Sequence, residues 1–240
     1  MSRRRFFVPE IRRGTAELTG RDAEHLVRVL RAEVGQVYEI SDNRELYLAE
    51  VETARKSQVV FRVLEKLESE PARARVTLVA ALFKFDRFEW LVEKATELGV
   101  TAIQPFEAER TEKGLGRASE ARRARWERIA LEASQQARRA HLPEIRATVS
   151  FRVALGSSAG AKIFLDEDPA ARPMLEYPQQ MLQDVALMIG PEGGWTDGER
   201  QQARAEGWQA CSLGRTILRA ETAGIAALAI VQAAAGMTAT

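Results

Sequence analysis

Val185-Ala186-Leu187-Met188-Ile189-Gly190-Pro191-Glu192-Gly193-Gly194-Trp195 is the stretch on which the fold turns. An apolar run without polar alternation describes a strand covered on both faces, as strands of a parallel sheet are. The glycines behind it remove Cβ bulk where the chain must turn sharply and where backbone can approach a ligand. Thr196 and Glu199 have capping-box spacing, so a helix starts directly after the loop, and Gly207 closes it. Upstream, Val76 to Leu82 is a second run of the same kind. The helix after it places Phe88, Leu91, Val92 and Ala95 on one face, with Asp86 as cap, Glu89 as its reciprocal partner and Gly99 as terminator.

The same alternation continues on either side. Strands are expected near Ala102 to Phe106, Lys162 to Leu165 and Ala210 to Leu213. A helix from about Glu120 to Arg139 buries Trp126, Ile129, Ala130 and Ala133. Strands alternating with helices give an α/β fold, a mostly parallel sheet with helices on its faces. From Phe6 to about Leu67 the pattern changes to period two: Val37 and Ile40, then Tyr47, Ala49 and Val51, then Val59, Phe61 and Val63. That reads as a small β-barrel or sheet. One helix interrupts it, Asp22 to Arg31, entered at Thr19, with Leu26, Val29 and Leu30 inward and His25, Arg28 and Arg31 toward the other side. The charged, proline-containing run Glu68 to Arg75 marks the boundary between a front domain, 1–70, and a second domain, 71–240.

Composition removes several function classes. Lysine and arginine total 35 against 34 acids, a net charge of +1, which is unlike a tail-driven nucleic-acid binder. Arginines nevertheless cluster at Arg3, Arg4, Arg5, Arg12 and Arg13 and again from Arg117 to Arg139, and local patches suffice to hold a phosphate backbone. The basic start has no apolar stretch behind it and no segment is long enough to span a bilayer, so a cytoplasmic protein is expected, with no membrane partner. Cys211 is the single cysteine, and His25 and His141 lie far apart, so neither an internal disulfide nor a metal site is expected. No phosphate-binding loop, dinucleotide fingerprint or serine-hydrolase elbow is present.

Parallel sheets bind ligands where loops leave the carboxyl ends of their strands. Besides the first glycine loop, Leu213-Gly214-Arg215-Thr216-Ile217-Leu218-Arg219-Ala220-Glu221-Thr222 qualifies, because it leads into a helix, Ala223 to Ala235, whose first amides are free. That helix is apolar on every side. It must be buried all round, by the sheet on one face and a second subunit on the other, so a homodimer is expected.

Together, Lys84-Phe85-Asp86-Arg87 with Lys94-Ala95-Thr96-Glu97-Leu98-Gly99, Gly190-Pro191-Glu192-Gly193-Gly194, and Leu213 through Ala223 resemble the bacterial ribosomal RNA small subunit methyltransferase E (RsmE) family. The likeness extends to Arg5-Phe6-Phe7-Val8 and His25-Leu26-Val27-Arg28-Val29-Leu30-Arg31. The resemblance implies a PUA-like RNA-binding domain followed by a SPOUT methyltransferase domain whose C-terminal segment threads a trefoil knot. It further implies S-adenosylmethionine as cofactor, N3 of one uridine in 16S ribosomal RNA of the small subunit as target, and a dimer. By motif, the cofactor pocket would include Leu165, Ile189, Gly190, Gly194, Leu213, Gly214, Ile217, Leu218, Arg219, Thr222 and Ala223. The sequence departs from the family pattern at Phe85, where glycine is usual, and at Gln135, Arg138 and Ala140, where glutamate, glycine and asparagine are usual; Gln136 and Arg139 are retained.

Methyl transfer from a sulfonium is an in-line displacement that needs alignment and exclusion of water rather than a metal. Uracil N3 carries a proton that some group must take, or its anion must be stabilised. Glu221 as base and Arg219 as the stabilising cation are the catalytic candidates, while Glu221 equally reads as a favourable charge at a helix start. Arg5, Arg28, Arg31, Lys84, Arg110 and Arg139 are the candidate RNA contacts, arginine being suited to phosphate and to splayed bases. Two competing readings share the fold: a non-catalytic RNA-binding assembly factor, and a related enzyme methylating a ribose 2′-hydroxyl.

Overall fold

The computed structural model describes residues 4–69, 74–168 and 170–237. Arg3, in the N-terminal basic cluster, and part of the expected linker, 70–73, lie outside the described residues. The chain forms two compact units: Met1–Pro71 with Leu131–Leu142, and Ala72–Ala130 with Pro143–Thr240. A single cut near residue 70 does not capture this, because the segment from Leu131 to Leu142 counts with the front unit.

The front unit holds β1 (Arg5–Phe7), β2 (Ile11–Arg12), β3 (Thr15–Thr19), α1 (Gly20–Arg28), β4 (Val37–Ser41), β5 (Leu46–Arg55) and β6 (Gln58–Leu67). They form a six-stranded sheet in the order β1-β4-β5-β6-β3-β2, antiparallel except for the β1–β4 pair. The period-two residues Ile40, Ala49, Val51, Val59 and Phe61 are buried in its core with Ala23 and Leu26 of α1. α1 ends three residues earlier than its apolar spacing suggests. Arg31 takes a left-handed backbone (φ 53°) and the Ala32 amide turns back to the Leu26 carbonyl at 3.1 Å. Val29 therefore falls after the last helical residue and is 64% exposed instead of inward.

Residues 138–142 are fixed to this unit through their own backbone. Arg5 Nη1 donates to the Arg138 carbonyl, Ser41 Oγ donates to the Ala140 carbonyl at 2.7 Å, and the Leu142 amide donates to Asn43 Oδ1 at 2.7 Å. Because main-chain groups make these bonds, side chains at 138 and 140 are free to vary, which accounts for Arg138 and Ala140 standing where the family pattern has glycine and asparagine. Arg138 adopts φ 54°, a left-handed conformation that glycine reaches without cost.

The second unit contains β7 (Arg75–Ala81), α2 (Phe85–Glu97), β8 (Ala102–Glu107), α3 (Leu115–Gln136), whose end belongs to the front unit, β9 (Glu144–Ile145), β10 (Val149–Ser150), α4 (Phe151–Ala154), β11 (Ala161–Leu165), β12 (Arg172–Pro173), β13 (Asp184–Ile189), α5 (Asp197–Ala205), β14 (Gln209–Ser212) and α6 (Ala220–Met237). Its strands run in the order β10-β8-β7-β13-β11-β14-β12, with β9 beside β8, and every pairing is parallel. Alternate residues of β13 enter different cores: Val185, Leu187 and Ile189 pack with α2 and α6, Ala186 and Met188 with Phe106, Trp195 and Trp208. That two-sided burial is why the strand reads as an unbroken apolar run.

One local expectation changes. α2 begins at Phe85 with Lys84 at its cap position, so Asp86 sits in the first turn as a favourable charge; Glu89 pairs with Arg122 and Arg125 rather than closing a capping box. The Thr196–Glu199 capping box is formed, with both reciprocal bonds present. α6 buries Ala227, Leu228, Val231 and Ala235, whereas Ile225, Ile230 and Ala234 remain half-buried, so the chain alone covers one side of it.

Replacing Arg138 by glycine should stabilise the protein by about 0.5–1 kcal/mol, since relief of roughly 1–2 kcal/mol of left-handed strain is partly offset by the extra entropy glycine loses on folding. Urea unfolding of the two proteins measures this; a lower midpoint for Arg138→Gly would show that the Arg138 side chain contributes more than its backbone costs.

Candidate active site

β13, β11 and β14 are adjacent parallel strands, so their carboxyl ends deliver three loops to one edge of the sheet: 166–168, 190–195 and 213–219. The loops enclose a cavity of about 440 Å³, within the usual range for small-molecule sites.

Trp195 organises the wall between the first two loops. It is buried, its Nε1 donates to the Leu165 carbonyl at 2.8 Å, and its ring stacks parallel to Phe106 and meets Phe164 edge-on. A Cβ on Gly190 would stand 2.8 Å from Trp195 Cε2, so only glycine lets the indole lie under the loop. Gly194 closes the turn at φ 70°, its amide bonded to the Pro191 carbonyl at 2.9 Å. Two arginines hold the loop by its carbonyls: Arg110 Nη1 donates to Gly193 at 2.9 Å and Arg200 Nη1 donates to Trp195 at 2.9 Å. Arg200 also donates to both carboxylate oxygens of Asp166, whose side chain is wholly buried. This bond is the main reason the Arg200 guanidinium is held more basic than usual. A buried ion pair with its hydrogen bonds satisfied fixes geometry, and this one ties the loop after β11 to the loop after β13.

Leu165, Ile189, Gly190, Gly194, Leu213, Gly214, Ile217, Leu218, Arg219 and Ala223 all line the cavity. Thr222 does not; it is exposed on the first turn of α6. Glu221 is buried and also off the cavity lining, with Arg87 Nε 4.0 Å from its Oε1 and no hydrogen-bond partner for its Oε2. That placement favours the helix-start charge over a base in contact with substrate. Arg219 is exposed on the lining.

The candidate RNA contacts are divided between the two units. Arg28 and Arg31 are exposed in the front unit. Arg5, in the same unit, is committed to Glu39 at 2.8 Å and to the Arg138 carbonyl, which makes it a structural tie instead of a free phosphate contact. Arg139 is half-buried, and burial lowers its pKa to about 10, which still leaves it charged at neutral pH. In the second unit, Lys84 is exposed just before α2, and Arg110 is engaged with the glycine loop. Sequence reasoning missed Arg87, Asp166, Glu167, Glu192, Trp195 and Cys211, which also line the cavity, and Arg200 behind it. The acids directly after the apolar run of β11 were the available signal. Among the described residues, no three His, Cys, Asp or Glu side chains converge to hold a metal, and no helix is long and apolar enough to cross a membrane.

Residues 69–232 match a family model described as an RNA methyltransferase domain, and residues 18–64 one described as an RNA methyltransferase PUA domain. A ribosomal RNA small subunit methyltransferase E of Mesomycoplasma hyopneumoniae is 33% identical over 224 residues, covering 92% of this chain and 95% of its own. One from Synechocystis is 36% identical over 243 residues, covering 97% of this chain and 78% of its own. Among solved structures, the crystal structure of a ribosomal RNA small subunit methyltransferase E from Neisseria gonorrhoeae bound to S-adenosyl methionine has a TM-score of 0.87 at 32% identity, covering 97% of this chain and 98% of that one.

Trp195→Phe keeps the ring but strands the Leu165 carbonyl, and should cost about 1–3 kcal/mol in chemical denaturation. Burial pushes the Cys211 thiol up to about 11, so at pH 8 only about one thiol in a thousand is ionised. Ellman's reagent should therefore leave the native protein unmodified over minutes and titrate one thiol promptly in denaturant; equal rates in both would mean the site opens freely.

Proposed function

The chain belongs to the ribosomal RNA small subunit methyltransferase E family, and from that premise we propose that it transfers a methyl group from S-adenosylmethionine to N3 of a uridine in 16S ribosomal RNA, acting as a homodimer in the cytoplasm. The observation that carries the reading is the cavity where three parallel strands end, built from glycine-loop backbone, apolar walls and a few charges. Its composition fits the cofactor. Leu165, Ile189, Leu213 and Leu218 offer apolar surface to an adenine ring, and the charged side chains offer partners to a polar tail.

S-adenosylmethionine, when bound, supplies an electrophilic methyl group on a sulfonium. The residues of this chain hold and orient. Trp195, Arg200 and Asp166 keep two of the three loops at fixed spacing, so alignment needs no rearrangement of the wall. Arg219, exposed on the lining, is placed to favour negative charge as uracil N3 gives up its proton to solvent water. Glu221 holds Arg87 near the start of α6. The exposed Arg28 and Arg31 are offered by the front unit as RNA contacts. Support for the dimer is the half-buried apolar side of α6. Support for the knotted threading is that β14 lies on the far side of β11 from β13, whereas α6, which follows it, packs on β13 and α2.

The test combines calorimetry with product analysis. The wild type should bind S-adenosylmethionine saturably, and Ala223→Phe, which fills the cavity from the first turn of α6, should weaken binding at least tenfold with melting unchanged. Small ribosomal subunits incubated with protein and cofactor should yield 3-methyluridine on nucleoside mass spectrometry. A 2′-O-methylated nucleoside instead would reassign the acceptor, and absence of cofactor binding would leave an RNA-binding factor.

A further inference from the structure

The charges around the cavity are neutralised with two exceptions. Arg87, Asp166, Glu167, Glu192 and Arg219 are the charged residues on its lining. Arg87 is paired with Glu192, and Asp166 with Arg200. Glu167 makes no hydrogen bond or ion pair among the described residues, and neither does the guanidinium of Arg219. The unpaired carboxylate lies on the loop that leaves β11, whose shape is set by its neighbour: Asp166 is locked to Arg200, and the Asp168 amide donates to Asp166 Oδ1 at 3.3 Å. Glu167 faces the other glycine loop across the cavity, where a Cβ on Gly194 would stand 3.5 Å from its Oε1. It is an exposed acid on a braced loop, aimed at backbone with no side chain in the way.

We propose that Glu167 is a specificity-determining residue of this cavity and accepts hydrogen bonds from the two ribose hydroxyls of an adenosine-containing ligand; this rests on the cofactor reading above. An ionised carboxylate is an acceptor-only group with two oxygens side by side, which matches a vicinal diol presenting two O–H donors. Bonds of this kind to a charged acceptor are the stronger class. An acid close to a glycine loop at the carboxyl edge of a parallel sheet is also a general solution for holding ribose. The apolar walls that suit a base are contributed by Leu165, at the root of the same loop, and by Ile189 and Leu213 beside it. The sugar attached to a base lying there falls within reach of Glu167. Arg200 feels the Glu167 charge but gives its direct bonds to Asp166, and Arg87 is paired with Glu192, so no cation occupies the Glu167 oxygens.

The experiment is a cycle between protein and ligand, read by calorimetry. S-adenosylhomocysteine and its 2′,3′-dideoxy analogue are titrated into wild type, Glu167→Ala and Glu167→Gln, each checked by its melting temperature. Wild type should prefer the hydroxylated ligand at least tenfold, Glu167→Ala should bind both within twofold, and Glu167→Gln, which keeps one acceptor oxygen, should fall between. Three results overturn the assignment: no preference in wild type, an undiminished preference in Glu167→Ala, or an equal loss of both ligands in that variant, which is the signature of a contact with the amino-acid tail. Failure of S-adenosylhomocysteine to bind wild type at all would instead remove the cofactor reading on which the assignment stands.

Discussion

The hydrogen bond from the buried Trp195 indole to the Leu165 carbonyl is the contact on which the ligand edge of the molecule depends. It joins the end of one central strand to the loop leaving its neighbour, in a place where water cannot substitute for either partner. Everything nearby is shaped around it. Gly190 lacks a Cβ because the indole occupies that space, and the aromatic cluster of Phe106, Phe151 and Phe164 fills the layer beneath. Arg200 then completes the bracket by holding the Trp195 carbonyl and Asp166 at once. The glycine loop is thus braced by hydrogen bonds at Gly193, Gly194 and Trp195.

A second principle is pairing of charge within each part of the site. Asp166, wholly buried, is compensated by Arg200, consistent with the high cost of an unpaired buried ion, and Arg87 is paired with Glu192 where both side chains are partly exposed. What remains unpaired on the lining is therefore informative, since Glu167 and Arg219 are the groups free to meet a ligand. The arginine-rich helix α3 shows the same logic at the surface. Arg122 and Arg125 share Glu89, and Arg123 lies between Glu120 and Glu127, so much of its apparent basic patch is locally balanced.

The front unit shows why a sequence pattern can change while a structure persists. Residues 138–142 are held by carbonyls and amides bonded to Arg5, Ser41 and Asn43. The side chains of 138 and 140 make none of these bonds, and the departures at those two positions cost at most the strain of one left-handed arginine. The same bonds explain why Arg5, attractive as a phosphate contact from its basic neighbourhood, is instead part of the frame.

Periodicity and glycine placement determined the fold class, because burial on both faces requires an unbroken apolar strand and a sharp turn after it requires small residues. The runs 76–82 and 185–189 and the Thr196–Glu199 capping box were legible for that reason, while about half of the cavity lining followed from the likeness of the two glycine loops to a known family. The tertiary structure decided what depends on contacts between distant segments. Val29 falls outward because Arg31 ends its helix early, and residues 131–142 join the front unit through bonds spanning about a hundred positions. Arg200 meets Asp166 across 34 positions, and Glu221 is buried beside Arg87, off the cavity lining. Such pairings leave no periodic trace in a sequence, since a charged residue looks the same whether it faces solvent, an ion-pair partner or a ligand, and only packing selects among them.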